Sequence, residues 1–239
     1  MSIANKLLTI AENIPRVYNS GVTEGYREGA KYQHKSFWDN YQDYGKRNDY
    51  TNAFSGTGWT NETFKPNHDM KPFGTYMMFK NSKIEGDLVD ILNKLNVTLD
   101  FSICDSFQYT FQNTKFTRVG YIKATRVRLV DTFQNSALLE TIDGLELATF
   151  SEDHTSNTFS GCTALKNLTI YGTLGNSFNV KDCPLTRVSI DSIFDHLSTT
   201  ATGKTLTLNE NAVKSAYTDE EWATRIAPFS NWTITLVKK

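Results

Sequence analysis

Long apolar runs, cysteine and an excess of either charge are what this sequence lacks, and each absence removes a class of protein. Nowhere does the chain reach the roughly 18 consecutive apolar residues that a membrane-spanning helix requires. Three cysteines in 27.1 kDa are too few for a disulfide framework. Lys and Arg total 25 against 26 Asp and Glu. Nucleic-acid affinity comes mainly from clustered positive charge, so no nucleic-acid partner is expected. The opening stretch, residues 1–16, carries Lys6 and Glu12 between short apolar steps and lacks the continuous apolar core of a secretory signal.

Chemical motifs are missing as well. His34, His68, His154 and His196 stand far apart, with no acid or cysteine at ligand spacing, so neither a metal nor another cofactor is expected. Glu152-Asp153-His154 is the one tight polar cluster, and it reads as a solvated loop within a repeat insertion. Gly56-Thr-Gly58 and Gly172-Thr-Leu-Gly175 read as turns, because neither opens a helix after a strand as a phosphate loop does. Carboxylate pairs such as Asp87 and Asp90 are too generic in a chain with 26 acids to mark a glycosidase. No catalytic residue is expected.

What is abundant is threonine and asparagine, 30 and 20 residues respectively, about a fifth of the chain. Thr favours strands and Asn favours turns, so the composition suits short strands joined by many turns. Thirty aromatic residues supply the area for a core and argue against disorder.

The first 45 residues differ from the rest. Ile3, Leu7, Ile10, Ile14 and Val17 are spaced 4, 3, 4 and 3, a heptad seam that Pro15 interrupts. A second helical stretch follows from Thr23 to about Tyr44. The seam reads either as a homo-oligomer contact, with a trimer favoured, or as an amphipathic helix folded on its own domain.

A repeat runs through the middle. Phe54-Ser-Gly-Thr57, Phe79-Lys-Asn-Ser82, Phe111-Gln-Asn-Thr114, Phe133-Gln-Asn-Ser136 and Phe159-Ser-Gly-Cys162 share one pattern: Phe, any residue, a turn former, a small residue. A weaker copy spans Phe178 to Cys183. The Phe-to-Phe steps are 25, 32, 22, 26 and 19 residues, close to the roughly 20–29 of leucine-rich repeats. Short alternating strands follow, as in Leu139 to Ile142, Leu165-Lys-Asn-Leu168-Thr-Ile170 and Leu185-Thr-Arg-Val188-Ser-Ile190. Stacked units of this kind would bury Phe on Phe and strand beside strand, with Asn side chains satisfying backbone at the turns. Cys162 and Cys183 then occupy the small buried position as structural thiols.

Phe159 through Ile170 resembles the BspA-type leucine-rich repeat, Phe-x-x-Cys-x-x-Leu-x-x-Ile-x-Ile, and Cys183 to Ile190 fits it with one residue deleted. The whole chain is similar to tailed-phage and prophage proteins. The landmarks are the Ala4 to Asn13 helix, Phe37-Trp-Asp-Asn-Tyr-Gln42 and the terminal strand Asn231 to Leu236. The resemblance implies a virion component of the tail, baseplate or fibre region, assembled in the host cytoplasm.

The expected fold is therefore α+β: N-terminal helices over 1–45 for anchoring or oligomerisation, an irregular leucine-rich-repeat-like solenoid over 46–190, and an α/β cap over 191–239. In the cap, Ser189 to Leu197 reads as a helix, Lys204 to Leu208 as a strand, Thr218-Asp-Glu-Glu221 as a capping box before a second helix, and Trp232 to Leu236 as a last strand. Arg118, Lys123, Arg126 and Arg128 form the one basic run. Alternation would put Arg126 and Arg128 on one face, where they would suit an anionic wall polymer; a solvated face balanced by Asp131 and Glu140 is the favoured reading. Three functional classes follow. The first is a non-enzymatic virion attachment or structural protein that contacts other virion proteins and a host-surface polymer or protein. The second is a bacterial leucine-rich-repeat adhesin or interaction module. The third is a glycan-cleaving enzyme, which would need two carboxylates facing one groove.

Overall fold

The computed structural model describes residues 50–66, 69–104, 106–124, 128–147, 155 and 157–239. The expected N-terminal helices, with the Ile3, Leu7, Ile10, Ile14 and Val17 seam, lie outside the described residues, as do Arg126 and Glu152 to His154.

Phe79, Phe111, Phe133 and Phe159 stack at 5.5, 5.3 and 5.6 Å between ring centroids, with planes within 11°, 4° and 8° of parallel. Phe54 continues the column at 5.1 Å from Phe79, tilted by 32°. All five are buried. Each ring sits on a turn with two left-handed residues, one two positions before the Phe and one two after. Before it stand Asn52, Met77, Tyr109, Asp131 and Asn157; after it stand Gly56, Asn81, Asn113, Asn135 and Gly161. Only Gly, and to a lesser degree Asn, enters this region at low cost. That is why the turn-former position alternates between those two types. Beside the side-chain hydrogen bonding expected of it, Asn at this position supplies the left-handed conformation.

These turns satisfy their backbone in two directions. The Phe N–H groups donate to the next layer, Phe54 to Met78 O, Phe79 to Thr110 O, Phe111 to Thr132 O and Phe133 to Thr158 O, at 2.8–3.0 Å. The left-handed residues after them do the same, Asn81 to Gln112 O, Asn113 to Gln134 O and Asn135 to Ser160 O. Intervening N–H groups close turns within a layer, such as Ser82 to Phe79 O and Ser136 to Phe133 O. The threonine before Phe also reaches back a layer: Thr110, Thr132 and Thr158 hydroxyls donate to Thr75 O, Phe107 O and Leu129 O at 2.7–3.0 Å. Such ladders let a narrow, turn-rich column bury its polar backbone without regular sheet.

On the other side of each layer runs a strand. β1 (Glu85–Asp87), β2 (Lys115–Ala124), β3 (Thr141–Leu147) and β4 (Asn167–Gly172) form a four-stranded parallel sheet in sequential order, and α1 (Leu88–Lys94) follows β1. Phe116, Val119, Ile122 and Ala124 of β2 point to the core, as do Ile142, Leu145 and Leu147 of β3 and Leu168 and Ile170 of β4. β3 carries one residue more than β4 between its inward positions, and the register shifts between Ile142 and Leu145.

The sheet stops where Leu185 to Ile190 was expected as another strand. That segment instead enters α2 (Arg187–Asp195), with Thr186 as N-cap. Ser189 and Ser192, three apart on the helix face, accept the outward N–H groups of Leu168 and Ile170, each at 2.9 Å. Two hydroxyls thus close the sheet edge that a strand would have covered. The weak sixth repeat is corrected similarly: Phe178 starts β5 (Phe178–Val180) and has no left-handed flank. β5 pairs in parallel with β6 (Lys204–Asn209), and β6 with β7 (Trp232–Val237). Phe178, Leu206 and Ile234 stand in one register row, so strands carry on the column that turns began. α3 (Glu210–Ala216) and α4 (Asp219–Ile226) complete the C-terminal part, α4 with the expected Thr218–Glu221 capping box. Among the described residues the chain is mixed α/β with parallel sheets, and no helix is long and apolar enough to cross a membrane.

Candidate functional site

The outer face of the β1–β4 sheet carries a row of polar and aromatic side chains in register. Arg118 on β2 donates to both Asp143 oxygens on β3, Nε at 2.8 Å and Nη2 at 2.9 Å, and reaches Asp87 on β1 at 3.4 Å. Two-pronged binding fixes the guanidinium plane in a way a single contact would not. Further along the strands Tyr121 pairs in register with Gly144, and Lys123, Glu146 and Tyr171 line up across β2, β3 and β4. The Tyr121 hydroxyl donates to Glu146, and Lys123 lies 3.6 Å from the same carboxylate.

The two tyrosines meet over the glycine. Their rings are 5.5 Å apart at 56°, and they stay 47% and 43% exposed. A Cβ on residue 144 would lie 2.5 Å from Tyr121 and 2.8 Å from Tyr171 ring carbons. Gly144 is thus the floor on which both rings lie, and any side chain there would lift them from the sheet. The register shift in β3 falls at this point, and such irregularities re-aim neighbouring side chains. The Tyr121 phenol is pushed up to about 12, first by burial of its surroundings and then by the Glu146 carboxylate it donates to. It is a neutral donor at any physiological pH. His196, at the end of α2, borders the pair at 6.5 Å from Tyr171, its Nδ1–H donating to Ser192 O.

Other residues singled out from sequence fall elsewhere. Phe54, Phe79, Phe111, Phe133 and Phe159 form the buried column; Leu165, Leu168 and Ile170 line the core beside it. Cys162 and Cys183 are buried free thiols. Cys162 Sγ–H donates to Phe133 O at 3.0 Å, the same job that Ser136 performs on Phe111 O at 2.6 Å. Burial pushes the Cys162 thiol up to about 12 and raises Cys183 well above its ordinary value, so neither is a thiolate nucleophile. Arg128 is exposed and lies beyond the end of β2; the face it was expected to share with Arg126 lies outside the described residues. Arg118 and Lys123 are neutralised by Asp87, Asp143 and Glu146 rather than by Asp131 and Glu140, because the partners come from neighbouring strands; Asp131 is a buried left-handed turn residue. Asp87 caps α1 through Asp90 N–H at 3.0 Å and Asp90 pairs with Lys94 at 2.6 Å, so these two acids do not face one groove. Among the described residues no group of three His, Cys, Asp or Glu side chains is arranged to hold a metal ion.

Sequence reasoning missed Tyr121, Gly144 and Tyr171. Tyr171 lay next in phase to a strand recognised by Leu165, Leu168 and Ile170, and Gly144 just beyond the one read from Leu139 to Ile142, whereas the inward residues of the strand that carries Tyr121 were not read. Comparison with protein-family models, with curated proteins and with solved structures returns no match to this chain.

Proposed function

We propose that this chain is a non-enzymatic structural and attachment component of a phage virion, associated with the tail fibre or baseplate. In this reading the stacked layers over 46–190 are a leucine-rich-repeat-like solenoid and residues 191–239 are its cap. The solenoid presents a recognition surface to the host or to neighbouring virion proteins, and residues 1–45 anchor or oligomerise it. The observation that carries the reading is the outer sheet face, where Tyr121 and Tyr171 stay exposed over Gly144 on paired strands. Large exposed aromatic area is costly to leave in water, and binding surfaces are where such area recurs. The resemblance carried by Ala4 to Asn13, Phe37 to Gln42 and Asn231 to Leu236 supports the virion setting.

The test is immunogold labelling of purified particles from the source culture, joined to an adsorption assay with the isolated chain as competitor. Label at the tail end and reduced adsorption are the expected results. A chain that is absent from particles and present on intact cells would overturn the virion reading in favour of a cell-surface adhesin.

A further inference from the structure

We propose that the Tyr121–Gly144–Tyr171 platform binds an extended chain of uncharged pyranose sugars. This rests on reading the outer sheet face as a recognition surface and names the ligand class for it. A pyranose ring offers a flat apolar face of C–H groups and a rim of hydroxyls. The C–H groups carry slight positive charge and are drawn to the negative face of an aromatic ring. Two exposed rings lie 5.5 Å apart, about the length of one sugar unit in an extended chain, and their 56° interplanar angle suits a chain whose successive units turn about its axis.

Charge selects against a polyanion. Each cation of the face is already paired, Lys115 with Glu85 at 3.4 Å, Arg118 with Asp143 and Asp87, Lys123 with Glu146. A polyanion would have to break these pairs to gain a cation. A proline-rich segment brings only carbonyl acceptors to its exposed edge, and of the two platform hydroxyls only that of Tyr171 is left to donate to it, that of Tyr121 being committed to Glu146. What the rim offers instead is the spare lone pairs of the Asp143 and Glu146 carboxylates, which accept from sugar hydroxyls. Gly144 keeps the platform low enough for a chain to lie across it from β2 to β4.

The experiment is a titration of the full chain with cellotetraose, chitotetraose and mannotetraose, read by saturation-transfer NMR and by tyrosine fluorescence. At least one should bind with a Kd on the order of 1 mM, as suits an open site with few contacts, and without loss on raising salt. Tyr171→Ala and Tyr121→Ala should each weaken it about tenfold, in line with removing one stacking partner from a shallow site. Val188→Ala, on the exposed side of α2, should not change binding. Circular dichroism melts separate loss of the platform from loss of fold. Binding by none of the three probes, binding that survives the double tyrosine variant, or preference for dextran sulfate or a polyproline decamer would each overturn the proposal. Failure here is distinguishable from failure of the recognition reading. If Tyr171→Ala abolishes competition in the adsorption assay while no saccharide binds, the surface stands and the ligand class falls. If chitotetraose binds while particles lack the chain, the ligand class stands and the virion setting falls.

Discussion

Residues 50–162 and residues 178–239 continue one apolar column by two different backbone devices. In the first region a phenylalanine is held between left-handed residues on a tight turn, and N–H groups alternate between closing the turn and reaching the next layer. In the second, Phe178, Leu206 and Ile234 sit on parallel strands with an ordinary ladder. The opposite side changes in step: strands β1 to β4 give way to helices α2 and α3. The difference teaches that the Phe-x-Asn/Gly-small signature encodes a turn rather than the column itself. Where the signature lapses, the column persists and the backbone extends.

Truncating the column should separate the two regions most strongly. Phe133 is fully buried between Phe111 and Phe159, with both rings stacked on it. Phe133→Ala should lose about 3–5 kcal/mol, the range for large aromatic-to-alanine changes in rigid cores. Ile234→Ala in the terminal strand is only partly buried and should lose about 1–2 kcal/mol. Urea unfolding of both variants checks this, and equal losses would mean that the column is one uniform core.

That column was legible in the sequence because a fixed four-residue signature recurs at intervals a single layer requires. The inward residues Leu165, Leu168 and Ile170 were legible for the same reason, by their spacing after it. What was not legible depends on partners distant in sequence. Leu185 to Ile190 has the same alternation as the strands before it, but Ser189 and Ser192 find the β4 N–H groups only as a helix. α3 was missed although Asn209 caps it, accepting from Ala212 N–H at 3.2 Å, because the preceding strand runs directly into the cap. The aromatic platform was hidden because exposed residues obey no periodicity beyond that of the buried ones. Its signature, Gly144 beneath two rings, exists only once β2, β3 and β4 are in register.

Glycine substitutions should sharpen the comparison by changing sign. Asn135 holds φ at 59°, where alanine costs roughly 1–2 kcal/mol and glycine nothing. Asn135→Ala should therefore destabilise by about that amount and Asn135→Gly should be near neutral. Asn179, one residue after Phe178 in β5, is in a strand, where glycine is expected to cost about 0.5–1 kcal/mol through lost backbone entropy. Thermal melts of the three variants decide it; a destabilising Asn135→Gly would show that the Asn side chain, not its backbone, holds the turn.

A further step down in size is the α4 cap. The Thr218 hydroxyl accepts from Glu221 N–H at 3.2 Å and the Glu221 carboxylate accepts from Thr218 N–H at 2.8 Å. Thr218→Ala should lose about 1 kcal/mol, typical of an N-cap, with hydrogen exchange raised in α4 and unchanged in the Phe turns.

The smallest change at neutral pH is expected where the two regions meet. Gly161, the last left-handed residue of the turn column, has no further Phe turn to donate to, and its N–H finds the Asp182 carboxylate at 2.9 Å. Lys239, at the far end of the C-terminal region, reaches the same carboxylate at 2.7 Å. Burial alone would push Asp182 up, but Lys239 and the Gly161 N–H outweigh it and hold the carboxyl below its ordinary range. A carboxyl lowered on folding stabilises the native state above its unfolded pKa, about 3.9, and loses that contribution as pH falls through the lower native value. Between pH 5 and 8 this junction should therefore contribute a constant amount. Asp182→Asn keeps an acceptor for Gly161 and removes the charge facing Lys239, so the gap in unfolding midpoint between wild type and D182N should be constant near neutrality and close in acid. A gap that persists unchanged to pH 2 would mean that the carboxylate joins the regions by its shape and not by its charge.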